Sequence, residues 1–170
     1  MLVMGGSGPG SWVLLCYRLP RDPSTPRITT WRKLKRLGVA QLADGLVTLP
    51  ADARTREQLE WIAQEVTEAG GEASIWLAQP ASQEQERELA TRMAEARAAE
   101  YAAVLAEART AASLPERERR RSGDRLRAEL RRITRRDYFP PAQRDEAQAA
   151  VRALLELTPA DNGVVEEAGR

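Results

Sequence analysis

The chain has 170 residues, of which 42% are hydrophobic and 30% charged, enough for one core of ordinary size with a helical appendage and too apolar for wholesale disorder. With no histidine and a single cysteine, it lacks the usual neutral-pH base, the commonest metal ligand and any internal disulfide. The net charge of +1 hides an asymmetry that points to a polyanion partner. Arg18 to Arg36 carries seven basic residues against Asp22, and Arg117 to Arg136 carries ten arginines against Glu118, Asp124 and Glu129. Ala51 to Glu107 carries twelve acids against five arginines.

The glycine-rich start, residues 1–11, reads as a flexible leader without an export signal. WVLLCY, Trp12 to Tyr17, suits a buried central strand, in which Cys16 is a small core residue and Trp12 and Tyr17 are core or dimer contacts. A helix over Pro26 to Leu37 follows, with Thr25 as its cap, Pro26 in its first turn and Gly38 closing it in a left-handed conformation. Its periodicity turns Ile28, Trp31 and Leu34 inward and leaves Arg32, Lys33, Lys35 and Arg36 outside. Val39 to Leu42 and Leu46 to Leu49 flank Ala43-Asp44-Gly45, a hairpin signature. Thr55 to Gln58 reads as a capping box opening a helix with Leu59, Ile62, Val66 and Ala69 on its apolar side, and Trp61 is also expected inward. ASIWLA, Ala73 to Ala78, is a fourth strand that places Trp76 in a core or dimer contact. The order is a ferredoxin-like βαββαβ unit, α+β in class, over residues 12–80, with a four-stranded antiparallel sheet and two helices on one face.

From residue 81 to 157 the pattern becomes helical, packed on or beside that core. Ser82 with Gln85 caps a helix running to about Ala112, with Met93, Tyr101, Val104, Leu105 and Ala108 as its apolar side. The arginine-rich segment follows, where Leu126, Leu130, Ile133 and then Phe139 form an apolar stripe, and Arg127, Arg131 and Arg135, spaced by four, line the face beside it. A last helix from about Ala142 to Leu157 buries Ala147, Val151 and Leu154, and residues 158–170 read as a flexible tail.

The WRKLKRLG, DGLVTLP and RDYF stretches, set within Trp12 to about Leu157, together resemble the N-terminal domain of the ChrB family of bacterial chromate-resistance regulatory proteins. The resemblance implies a cytoplasmic, non-enzymatic transcriptional regulator that binds DNA, with chromate as a candidate effector and no cofactor. In longer members a second domain is associated with the chromate response, so a chain ending at Arg170 is expected to bind DNA or a partner without sensing the anion itself. No helix-turn-helix is recognisable, so DNA contact must use another basic surface. The expected nucleic-acid-binding residues are Arg32, Lys33, Lys35 and Arg36, with Arg120, Arg121, Arg127, Arg131, Arg132, Arg135 and Arg136.

Arginines at helical spacing repel one another and call for a counter-charge. Phosphate backbone, the acidic middle of the same chain and an acidic surface of a second copy are all open. The second reading is therefore a non-enzymatic dimerisation or protein-interaction module. A metal-dependent nuclease-like protein is a weaker third, because the first strand ends in Arg18 where that fold's nucleases place an aspartate, and Asp22 lies four residues beyond. Separately, Arg18, Arg21 and Arg27 gather at the start of the first helix, a candidate site for a chromate- or sulfate-type oxyanion. No stretch approaches the roughly 20 apolar residues of a membrane span.

Overall fold

The computed structural model describes residues 10–156. All of the expected leader but residues 10 and 11, and the whole expected tail, lie outside them. The first six elements are β1 (Trp12–Arg18), α1 (Thr25–Leu37), β2 (Ala40–Ala43), β3 (Leu46–Pro50), α2 (Ala53–Glu68) and β4 (Glu72–Ala78). They form one antiparallel sheet in the order β2-β3-β1-β4, the ferredoxin-like arrangement. Three helices follow, α3 (Gln83–Ala111), α4 (Glu116–Thr134) and α5 (Gln143–Glu156). Two compact units result. One runs through Arg97 and takes in Arg135–Pro141; the other comprises Ala98–Thr134 and the chain from Ala142. The sheet unit thus reaches past residue 80 to include the first half of α3 and a short segment after α4.

In the sheet unit the two-residue alternation of strands sorts the side chains. Val13 and Leu15 of β1, opposite Leu49 and Val47 of β3, are fully buried. They share a core with Leu34 of α1 and Leu59, Ile62 and Val66 of α2. The other face carries Trp12, Leu14 and Cys16, with Trp76 of β4 opposite Leu14. Trp12 is buried, but Cys16 is exposed and Trp76 is 60% exposed. The expectation of a strand buried throughout therefore fails at its second half, and Cys16 is a surface residue. Tyr17 is half-buried, and burial raises its phenol pKa against the lowering effect of Arg27.

Several local expectations shift. The residue preceding α1 is Ser24, in a helical conformation and without a side-chain cap bond, so Thr25 is the first helical residue. In α1 the buried side chains are Thr30 and Leu34, while Ile28 is 49% exposed. The helix rotates its Thr30 edge inward, and Trp31 is half-buried. In α2 the capping box lies three residues upstream of the expected one. The Thr55 backbone N–H donates to Asp52 Oδ1 at 2.7 Å and the Asp52 N–H donates to Thr55 Oγ1 at 3.0 Å. The Thr55 hydroxyl also donates to the Pro50 carbonyl at 2.6 Å, tying α2 to the end of β3. The Thr55 N–H bond is the main cause that holds the Asp52 carboxyl below its ordinary pKa. Trp61 is 61% exposed, because Leu59 and Ile62 take the core-facing positions on either side of it. Ala69 caps α2 at the surface. The Asp44-Gly45 turn is as expected, with Gly45 at φ 72°.

The second unit has its own core. Tyr101, Val104 and Ala108 of α3, Leu126, Leu130 and Ile133 of α4, and Ala147, Val151 and Leu154 of α5 are buried together. These are the apolar positions that helical periodicity selects, each helix burying one stripe. Met93, on the same side of α3, belongs instead to the sheet unit's core with Leu89, so one amphipathic helix serves two cores in succession. Among the described residues no helix is long and apolar enough to cross a membrane.

Candidate nucleic-acid interface

The basic residues fall into two sets, one on each unit. The α4 set follows from where that helix buries its apolar side. With Gly123, Leu126, Leu130 and Ile133 inward, a 3.6-residue repeat turns Arg117, Arg121, Arg125 and Arg132 to the opposite side and runs Arg120, Arg127 and Arg131 along one flank. That flank stripe is about 16 Å long at 1.5 Å per residue. Asp124 lies within it. Arg125 is held by Glu107 of α3 at 2.6 Å and Arg132 by Glu129 at 3.0 Å. Arg117, Arg120, Arg121, Arg127 and Arg131 are exposed, and among the described residues none meets a carboxylate within salt-bridge distance.

Arg135 does not continue the α4 stripe. The helix ends at Thr134, and Arg135 and Arg136 form a turn in the segment that belongs to the sheet unit. Phe139 likewise leaves the α4 stripe and stacks on Trp12, with ring centroids 5.9 Å apart. Its neighbour Tyr138 donates its hydroxyl to the Leu37 carbonyl at 3.0 Å. Burial raises the Tyr138 phenol pKa, opposed by Arg54, whose guanidinium lies 5.8 Å from the ring centroid. RDYF thus fastens its segment against the C-terminal end of α1. The approach is close. At Gly38, with φ 76°, a Cβ would lie 2.7 Å from Arg136 Cβ and 2.9 Å from the Arg136 carbonyl oxygen.

The sheet unit's basic set is therefore larger than the α1 face alone. Arg32 and Arg36 are exposed. Lys33 is paired with Glu65 of α2 at 2.6 Å, and Lys35 sits over the Trp31 ring, 5.4 Å from its centroid. Around the end of α1 gather Arg36, Arg135 and Arg136, together with Arg54, whose Nη1 donates to the Arg135 carbonyl at 3.5 Å, and Arg97, whose Nη1 lies 3.2 Å from a Gly38 Cβ. The negative end of a helix dipole favours cations there. Arg54 and Arg97 lie in the acidic middle of the chain, so no local pattern singled them out.

The three arginines expected to form an oxyanion site do come together. Arg18, Arg21 and Arg27 line one cleft of about 630 Å³ with Gly70, Gly71 and Glu72. Arg18 and Arg27 also border a neighbouring cleft of about 700 Å³ that contains Tyr17, Trp31 and Asp44. All three arginines are exposed, and Glu72 brings one opposing charge into the first cleft. Asp22 is an exposed residue of the loop between β1 and α1.

Residues 27–160 match the family model described as "Protein ChrB, N-terminal". The chain is also 31% identical over 151 residues to "Protein ChrB" of Cupriavidus metallidurans, an alignment covering 82% of this chain and 44% of that protein. The chain thus spans less than half the length of this curated relative.

Proposed function

The chain belongs to the ChrB family, and we propose that it is a chromate-resistance-associated, non-enzymatic regulatory protein that binds DNA through its basic helices. One observation carries this reading. After the intramolecular pairs of Arg125 and Arg132 are set aside, the solvent side of α4 keeps five exposed arginines against three exposed acids, Glu116, Glu118 and Asp124. Like charges at i,i+4 destabilise a helix, and a stripe about 16 Å long spans roughly five phosphates of one strand at about 3.4 Å per step. Arg32, Arg36 and Arg135 of the sheet unit supply further phosphate contacts, and Lys33 and Lys35 contribute less because each already has a partner in the fold. Such contacts position a protein on DNA without reading sequence.

A second reading has its own support. The cleft that collects Arg18, Arg21 and Arg27 suits a tetrahedral dianion of the chromate or sulfate type as an effector, since guanidinium forks recognise such oxygens.

The deciding experiment is a mobility-shift titration against the promoter DNA beside the protein's own gene, repeated over a range of salt. The log-log slope should be about −0.9 per phosphate neutralised. Arg127→Glu with Arg131→Glu should lower the magnitude of that slope by about 2, with helicity unchanged by circular dichroism because both side chains lie off the buried stripe. Unchanged affinity with intact helicity would reject α4 as the contact. No retention of the wild type at any salt would favour the reading in which the arginines serve protein-protein assembly.

A further inference from the structure

The two edges of the sheet are built differently. The strand order leaves β2 at one edge and β4 at the other. β2 has four residues, and its pairing with β3 shifts register between Gln41 and Ala43. A short, bulged edge is a poor template for another strand. β4 has seven residues in unbroken register with β1, from Trp12 opposite Ala78 to Arg18 opposite Glu72. From Ala73 to Ala78 it carries no charge and no proline, so past Glu72 at its start it has neither of these usual guards against edge pairing. Alternate residues of β4 direct their N–H and C=O groups away from β1, where no strand among the described residues takes them up.

Its side chains are equally unguarded. Trp76 and Leu77, adjacent and hence on opposite faces, are each 60% exposed. The edge is apolar above and below.

We propose that a second copy of this chain covers it, β4 pairing antiparallel with the second copy's β4 about a two-fold axis at Ile75. The sequence of the strand is self-complementary in that register. Trp76 falls opposite the second copy's Ser74 and Leu77 opposite its Ala73, so the two large exposed side chains each meet a small one, and Ile75 meets its own copy. The helix layer agrees. The Lys33–Glu65 pair turns one side of α2 toward α1, which leaves Arg56, Glu60, Ala63 and Thr67 on the side toward the free edge. Arg56 and Glu60 bridge at 2.7 Å within the helix and both are half-exposed. That flank carries one charge of each sign, so it sets no net charge against its copy. The pairing stands apart from whatever α4 binds.

Sedimentation equilibrium of the full chain at micromolar concentrations should give a dimer. Leu77→Lys and Trp76→Lys, both at exposed positions, should each raise the dissociation constant at least about tenfold by placing a charge at a paired edge, with thermal melting of the monomer unchanged. Hydrogen exchange on the wild type supplies a second readout that needs no variant. Alternate amides of β4, those not bonded to β1, should become protected as concentration rises. A monomer throughout, a dimer indifferent to both lysines, or a dimer whose outer β4 amides exchange freely would each overturn the proposal, the last pointing instead to contact through the open sheet face or the helical unit.

Discussion

Replacing Gly38 by alanine tests how the WRKLKRLG and RDYF stretches are joined. Two costs are separable there. The φ of 76° is a left-handed conformation, which costs an L-residue about 1–2 kcal/mol. The new Cβ would also stand 2.7 Å from Arg136 Cβ and 2.9 Å from its carbonyl oxygen, a backbone obstruction that no rotamer change relieves. Moving the Arg135–Pro141 segment away loosens the Tyr138 hydroxyl bond to Leu37 and the Trp12–Phe139 stack, worth about 1 kcal/mol each. The total is about 3.5 kcal/mol, a large part of an ordinary domain's stability, and should lower a urea midpoint by about 1.8 M at a slope near 2 kcal/mol/M. Gly70 is the internal control, since its φ is 81° but a Cβ there meets nothing within 4 Å. Gly70→Ala should cost the conformational part alone, about 1.5 kcal/mol. All four tryptophans lie in the sheet unit, so their emission reports its unfolding. Equal losses for the two substitutions would show that the close approach contributes nothing, and the reasoning would fail.

Two further outcomes follow from local geometry. Asp52→Ala should destabilise the sheet unit by about 1 kcal/mol near neutral pH through loss of the α2 cap. The Thr55 N–H bond lowers the Asp52 pKa, so this contribution is present above the ordinary carboxylate pKa and lost as pH falls through the folded value. Urea titrations at neutral and acid pH should therefore show the gap between wild type and variant closing in acid. Tyr138→Phe should cost about 1 kcal/mol by deleting the bond to the Leu37 carbonyl. Burial raises the Tyr138 phenol pKa, so its contribution is intact below the ordinary tyrosine value and lost as pH rises through the folded one. An ultraviolet phenolate titration should show late ionisation from both Tyr17 and Tyr138, reduced by one phenol in the variant, and an undiminished late component would refute the assignment to Tyr138.

Element order and the helix stripes other than that of α1 were determined by the sequence alone, because they rest on neighbours within four residues. Leu126, Leu130 and Ile133 recur at the helical period, and Gly38 and Gly45 stand where the chain must take a positive φ. The family resemblance was legible for a related reason, since WRKLKRLG, DGLVTLP and RDYF are contiguous. Periodicity marks which side of an element is apolar but not how far its neighbours extend over it. Cys16, Ile28, Trp61 and Trp76 therefore became surface residues only once the packing was fixed. The α2 cap lies upstream of the expected one because Asp52 and Thr55 can both begin a helix, and Thr55 is instead bonded by its backbone N–H to Asp52 and by its hydroxyl to the Pro50 carbonyl at the end of β3. Arg135 shows the limit most directly. A four-residue spacing placed it on the arginine helix, but Tyr138 and Phe139 find partners at Leu37 and Trp12, about a hundred positions earlier in the chain. Those contacts draw Arg135 and Arg136 to the end of α1 beside Arg54 and Arg97, and only the folded chain brings residues so distant in sequence into one field of charge.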